Sequence, residues 1–243
     1  MAWSPVHPRW TDDDREILRL AVPALGALVA EPLYILADTA VVGRLGTPQL
    51  GGLAIASSLL LIAHSVFIFL AYGTTAAVAR LLGAGDERQA AHQAVQSLWL
   101  AGLIGVVVAV AVAPLSEPLI RLLGGEGEVA DHALVYLRIS LPGLPAMMLT
   151  LAGVGYLRGL QDTARPFYVA LATAVLNLVL ELVLILGFDQ GIGASALSTV
   201  VALWTAAAIY LVWIRRAVAE HGVSMRPDLR AIGRLAGAGT DLV

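Results

Sequence analysis

The stretch AVQSLWLAGLIGVVVAVAVAPL, residues 94–115, contains no charged side chain. A helix of this length rises about 33 Å at about 1.5 Å per residue, which is enough to cross the roughly 30 Å hydrocarbon core of a bilayer. A long apolar run without alternation is typical of a transmembrane helix and not of a membrane β-strand. The stretch therefore predicts a membrane protein that is built of helices.

Five further apolar runs lie on either side of this stretch. Short segments rich in Gly and Asp, such as residues 83–86 and 124–128, separate the runs and indicate tight turns. The fold class that we predict is all-α, a polytopic transmembrane bundle of six spans. These spans lie at about residues 17–42, 53–79, 94–115, 133–157, 167–188 and 192–214.

The composition supports a membrane protein and excludes several other classes. Apolar residues make up 58% and charged residues 14%, whereas soluble domains have roughly 45–50% and ~25%. A soluble enzyme and a disordered chain are therefore excluded. Cysteine is absent, which rules out disulfides and thiolate metal sites. The net charge of −3 disfavours nucleic acid as a partner, and the expected surroundings are the lipid bilayer.

The arginine distribution predicts the orientation in the membrane. All 15 basic residues are Arg, and 12 of them fall on one side of the six predicted spans. Basic loops face the cytoplasm, so we expect a cytoplasmic N-terminus in a bacterial plasma membrane. The predicted organisation is a cytoplasmic segment over residues 1–16 and a six-helix lobe over 17–215. We expect residues 216–243 to form a cytoplasmic loop and the start of an incomplete seventh helix.

Polar side chains within the spans are the best indicators of function, because ionisable groups are costly in hydrocarbon. Asp38 and Glu181 lie at nearly the same depth, and Asn177 is one helical turn from Glu181. Oxygens from Thr199 and Tyr136 fall in the same layer. Such oxygens suit a hard cation such as Na⁺, and two buried carboxyl groups can also share a proton.

Other polar residues and prolines are candidates for lining a cavity or for gating. Glu31 lies two turns from Asp38 on the same face, next to a proline, and Pro23 loosens the first helix further. Arg138 either neutralises a carboxylate or extends toward the lipid headgroups. We assign this class of role to Pro23, Glu31, Tyr136 and Arg138.

Motifs for an enzyme are incomplete. Residues 83–86 spell Gly-Ala-Gly-Asp, as in aspartyl intramembrane proteases, but they lie in a predicted loop. Residues 193–196 lack the final Gly of the rhomboid motif. No phosphate-binding loop, dinucleotide turn or metal-ligand cluster is present. We therefore expect no enzyme activity, and no cofactor apart from a coupling ion.

Four segments together resemble a known family. They are EPLYILADTAVVGRLG (31–46), RGLQDTARP (158–166), LNLVLE (176–181) and GIGASA (191–196). In this order they are similar to the N-terminal half of multidrug and toxic compound extrusion (MATE) transporters of the DNA-damage-inducible-F branch. The resemblance implies one of two six-helix lobes around a central cavity.

The resemblance also implies an activity and a site. Family members couple inward flow of Na⁺ or H⁺ to export of small amphipathic, often cationic compounds. The implied cation site is formed by Asp38, Asn177, Glu181 and Thr199, with Tyr136 and Pro23 also implicated. Glu181 stands where archaeal members have Asp, which shifts the carboxyl oxygens.

Alternatives remain open at this point. The chain has about half the length of a complete family member, so either it is a truncated product or two copies assemble. A lipid-linked precursor flippase of the same superfamily would need several Arg within the spans, where only Arg138 qualifies. A non-transporting membrane fragment would leave the two carboxyl groups at one depth unexplained.

Overall fold

The computed structural model describes residues 32–188, 190–229, 231–233 and 235. The predicted first span is therefore described only from Pro32, and Pro23 and Glu31 lie outside the described residues. Every regular secondary-structure element of the described residues is a helix. These are α1 (Pro32–Gly43), α2 (Thr47–Phe67), α3 (Phe69–Gly83), α4 (Glu87–Leu122), α5 (Gly127–Ser140), α6 (Gly143–Gly159), α7 (Ala164–Leu182), a π-helical turn (Val183–Gly187) and α8 (Ile192–Glu220).

Within the described residues, four helical segments are long and apolar enough to cross a membrane: Thr47–Gly83, Glu87–Leu122, Ala164–Gly187 and Ile192–Glu220. The pair formed by α5 and α6 gives a fifth, bent by 55° at its break. These five correspond to predicted spans two to six. Six spans therefore remain the expectation for the whole chain.

Two predicted spans are interrupted. The second is interrupted at Ile68 between α2 and α3 but remains one helical segment, Thr47–Gly83, whereas the fourth breaks at Leu141–Pro142 and is bent by 55°. Pro142 has no N–H to continue the helix. The Pro142 carbonyl accepts a hydrogen bond of 3.0 Å from Trp204 Nε1 on α8, which supports the break. At the other end of the chain, α8 continues through Arg215 to Glu220, because a helix need not end where the apolar run ends.

The predicted turns are confirmed. Gly85 and Gly124 have φ of +76° and +85°, a conformation that residues with a Cβ rarely adopt. Asp86 follows the first of these turns and caps α4, since its Oδ1 accepts a 3.0 Å hydrogen bond from Gln89 N–H. The Gly-Ala-Gly-Asp segment is therefore a turn and a helix cap.

The core consists of two main apolar clusters at opposite ends of the bundle. One includes Val78, Ala91, Leu157 and Val218, and joins α3, α4, α6 and α8. The other includes Leu53, Ile120, Leu137 and Ile192, and joins α2, α4, α5 and α8. The described arginines of the predicted inner side lie at the end of the first cluster: Arg80, Arg88, Arg158, Arg165, Arg215, Arg216 and Arg226.

Small residues let α6 pack closely against its neighbours. A Cβ at Gly105 of α4 would meet the backbone of Pro145, including its nitrogen at 2.9 Å. A Cβ at Gly153 would lie 2.5 Å from the Tyr210 ring on α8, and one at Gly155 would lie 2.5 Å from Ala71 O on α3. The helices therefore approach each other at distances that only glycine permits.

The segment after α8 is held against α4 by side-chain hydrogen bonds. Gln96 is fully buried; its Nε2 donates to Arg226 O at 3.2 Å, and its Oε1 accepts from Asp228 N–H at 2.7 Å. Trp99 Nε1 donates to Met225 O at 2.9 Å. These bonds fix the predicted inner loop to the lobe.

Candidate functional site

The helix α7 carries two buried polar residues one turn apart. Asn177 is 2% exposed and Glu181 is fully buried. Asn177 Nδ2 donates a 3.0 Å hydrogen bond to Thr199 Oγ1, and Thr199 Oγ1 donates to Ser195 O at 3.1 Å within α8. The structure therefore brings Asn177, Glu181 and Thr199 together at the junction of α7 and α8.

Asp38 reaches the same place from α1. That helix packs on the π-helical turn and on α8 through Val41, which contacts the cluster of Ile185 and Ala194. The Asp38 carboxyl group interacts directly with the Glu181 carboxyl group. The two acids predicted from equal depth are therefore neighbours from different helices.

Two residues at this site were missed by the sequence reasoning. The Ser195 hydroxyl lies beside both Asp38 and Glu181. The Tyr34 phenol lies beside Thr199 and interacts with Asp38. Each of them is one helical turn before a predicted site residue, Thr199 and Asp38 respectively. That i, i+4 spacing is the signal that could have found them.

The site has a surplus of buried oxygens with no hydrogen bond. Five such atoms lie on four side chains: Asp38 Oδ1, Asn177 Oδ1, Glu181 Oε1, Glu181 Oε2 and Ser195 Oγ. Buried polar atoms without a partner are rare and costly in folded proteins, so each calls for an explanation. Within the described part of the chain, no Arg or His side chain forms an ion pair with Asp38 or Glu181. A cation, or a proton shared by the carboxyl groups, would compensate this site.

The remaining predicted residues differ in position. Tyr136 is buried and lies beside Thr199 and Ser195. Arg138 is exposed and does not pair with either acid, so it extends away from the site toward the surface. Among the described residues, no three His, Asp or Glu side chains group together to hold a metal ion.

A π-helical turn follows Glu181 directly. It covers Val183–Gly187, and Phe188 N–H donates to Val183 O, five residues earlier, at 3.2 Å. Such turns insert one extra residue into a helix and are frequent at functional sites. Here the turn contributes Ile185 to the contact with α1. It therefore helps to hold Asp38 against Glu181.

Comparison with known sequences gives consistent matches. The sequence profile of the MatE family matches residues 23–183. DNA damage-inducible protein F of Escherichia coli (strain K12) is 30% identical over 215 residues, which are 88% of this chain and 47% of that protein. A probable multidrug resistance protein NorM of Thermotoga maritima is 30% identical over 200 residues, with 80% and 43% covered.

Solved structures give the same result. A MOP superfamily transporter from Pyrococcus furiosus, described as having a binding pocket of reverse polarity, superposes with a TM-score of 0.80 at 26% identity. An outward-facing multidrug resistance MATE family transporter of the MOP superfamily also gives 0.80 at 26%. The match covers 92% of this chain in both, and 50% and 51% of those chains. This chain spans about half the length of the relatives that it matches.

Proposed function

Since this chain belongs to the MatE family, we propose that it forms the N-terminal lobe of a cation-coupled antiporter that exports small amphipathic, often cationic xenobiotics. The observation that carries the proposal is the cluster of unpartnered buried oxygens around Asp38 and Glu181. The coupling cation, Na⁺ or H⁺, would bind there with Asn177 and Thr199 as further ligands. No other cofactor and no enzymatic step are needed.

The location of the site favours coupling over a purely structural role. A buried acid is destabilising unless an ion, a proton or a cationic side chain compensates its charge. Arg138, the Arg within the predicted fourth span, does not supply that compensation, because its side chain is exposed and forms no ion pair with either acid. An exchangeable cation is therefore the best compensating charge for this pair.

The alternatives have less support. A flippase for lipid-linked precursors must bind a pyrophosphate, for which several inward-facing arginines are expected. The buried polar side chains of the described lobe are instead carboxyl, amide and hydroxyl groups. A non-transporting fragment would have no use for a site that lacks hydrogen-bond partners.

We further propose that the chain lies in a bacterial plasma membrane with its N-terminus and the segment after α8 in the cytoplasm. The chain has no cysteine, so single cysteines report topology without background. Ser224→Cys should resist an impermeant thiol reagent added to intact cells. Glu128→Cys, at the opposite end of the bundle, should be labelled. Labelling of Ser224→Cys from outside, with Glu128→Cys protected, would reverse the orientation.

Transport should require a second lobe or a second copy of the chain. The described part of α1 exposes Leu33, Ile35 and Leu36, with 59%, 51% and 65% of their surface accessible, so no described residue of the lobe covers this apolar face. Vesicles that contain the chain as a monomer should therefore fail to move ethidium under a Na⁺ or H⁺ gradient. Gradient-driven efflux should be seen only from an assembled form. Efflux by a demonstrated monomer would refute this.

A further inference from the structure

Ser195 is the residue of the site whose burial is hardest to explain. It is fully buried, and its hydroxyl oxygen has no hydrogen-bond partner among the described residues. Serine in a transmembrane helix normally bonds to a carbonyl of the preceding turn. Ser198 and Thr199 do this, since both donate to Ser195 O, at 2.8 and 3.1 Å. Ser195 itself instead faces Asp38 and Glu181.

The number of unpartnered oxygens discriminates between a proton and a larger cation. One proton shared between two groups joins only two oxygens. The cluster has five unpartnered oxygens, from Asp38, Asn177, Glu181 and Ser195. Hard cations are bound by several oxygen ligands at once and accept hydroxyl, amide and carboxylate oxygens together. The Ser195 hydroxyl can donate to a carboxylate oxygen, but a shared proton still leaves the Asn177 amide oxygen without a partner, whereas one cation can be bound by all of these oxygens together.

We propose that Ser195 Oγ is a direct ligand of a Na⁺ ion held between Asp38 and Glu181. This inference rests on the proposed function, because it names the ion and adds a ligand at the same site. Ser195 supplies a neutral oxygen between the two acids, so it adds coordination without adding a third buried charge.

The test is Na⁺ binding to the purified chain in detergent, with Ser195→Ala as the variant. A ligand that binds only the folded state raises the melting temperature with its concentration, which gives the affinity. Choline chloride at equal ionic strength is the blank. Ser195→Ala should weaken Na⁺ binding about tenfold, which corresponds to the loss of one good polar contact.

The matched control is Ser198→Ala, which removes a buried hydroxyl from the same turn of α8. Its Oγ bonds only to Ser195 O, so Na⁺ affinity should stay at the wild-type value. Calorimetric titration of Na⁺ at constant temperature gives a second measure that does not depend on unfolding.

Equal Na⁺ affinity in Ser195→Ala and the wild type would overturn the role of Ser195 and leave the coupling site intact. A wild-type chain that responds to pH but not to Na⁺ would overturn the Na⁺ assignment, while proton coupling would still stand. A wild type stabilised by neither ion would contradict the proposed function itself.

Discussion

Gly105→Ala should lower the stability of the lobe by about 1–3 kcal/mol, the usual range for overpacking. The added methyl group would meet the backbone of Pro145 on α6, with the Pro145 nitrogen 2.9 Å away and Leu144 O 3.1 Å away. Backbone atoms cannot rotate out of the way as a side chain can, so α4 and α6 would have to separate. Thermal unfolding in detergent measures the loss.

Gly102→Ala is the matched control, one turn away on the same helix. Its Cβ would make only an ordinary contact of 3.7 Å with Leu149 Cδ2. Replacing a helical glycine by alanine gains about 0.5–1 kcal/mol of intrinsic helix stability, so this variant should be as stable as the wild type or more stable. Similar changes in melting temperature for Gly105→Ala and Gly102→Ala would contradict the close approach of α4 and α6.

Asp38→Asn should remove Na⁺-dependent stabilisation while leaving the fold intact or slightly more stable. Two unit charges about 4 Å apart interact by about 4 kcal/mol at an effective dielectric constant near 20, so losing this charge should weaken cation binding by more than about a hundredfold. The uncompensated buried acid is itself unfavourable, which is why the ion-free variant should not unfold more easily. Melting temperatures with and without Na⁺ measure both effects.

Asp86→Asn provides the control for this exchange. Asp86 caps α4 on the exposed surface, and Asn is an equally good capping residue, so the Na⁺ response should be unchanged. If Asp38 were a structural ion-pair partner, Asp38→Asn would reduce stability by several kcal/mol even without Na⁺. That result, or an intact Na⁺ response in Asp38→Asn, would exclude Asp38 from the coupling site.

Apolar length and turn chemistry allowed much of the fold to be predicted. The turns at Gly85 and Gly124 follow from residues that tolerate positive φ, and both have it. The interruption at Ile68 and the bend at Pro142 were not predicted, because an interrupted or bent span and a straight span have the same apolar composition. A helix surrounded by lipid has no polar face that would mark a bend. Trp204, which supports the break at Pro142, comes from a distant part of the chain.

The sequence allowed the membrane depth of the site residues to be predicted, but not the directions in which their side chains point. Equal depth placed Asp38 beside Glu181, as the structure has them. The direction of Arg138 was left open: it lies two residues after Tyr136, about 200° around a helix of 3.6 residues per turn, and faces outward while Tyr136 faces inward. Ser195 was missed because serine in a membrane helix usually bonds its own backbone, and only the packing of α1 on α8 shows that it does not.

The close packing of α6 limits the substitutions that its sequence can accept during evolution. Eleven of the seventeen residues of α6 are buried, against four of the nineteen in α7. The outward stripe of α7 at Leu171, Val175 and Val179 is exposed in the described lobe, so selection there requires only an apolar side chain. In α6 nearly every position has a neighbour at contact distance on one side or another. Among homologues, substitutions should therefore accumulate with helical periodicity along α7. Helix α6 should accept very few substitutions on any of its faces.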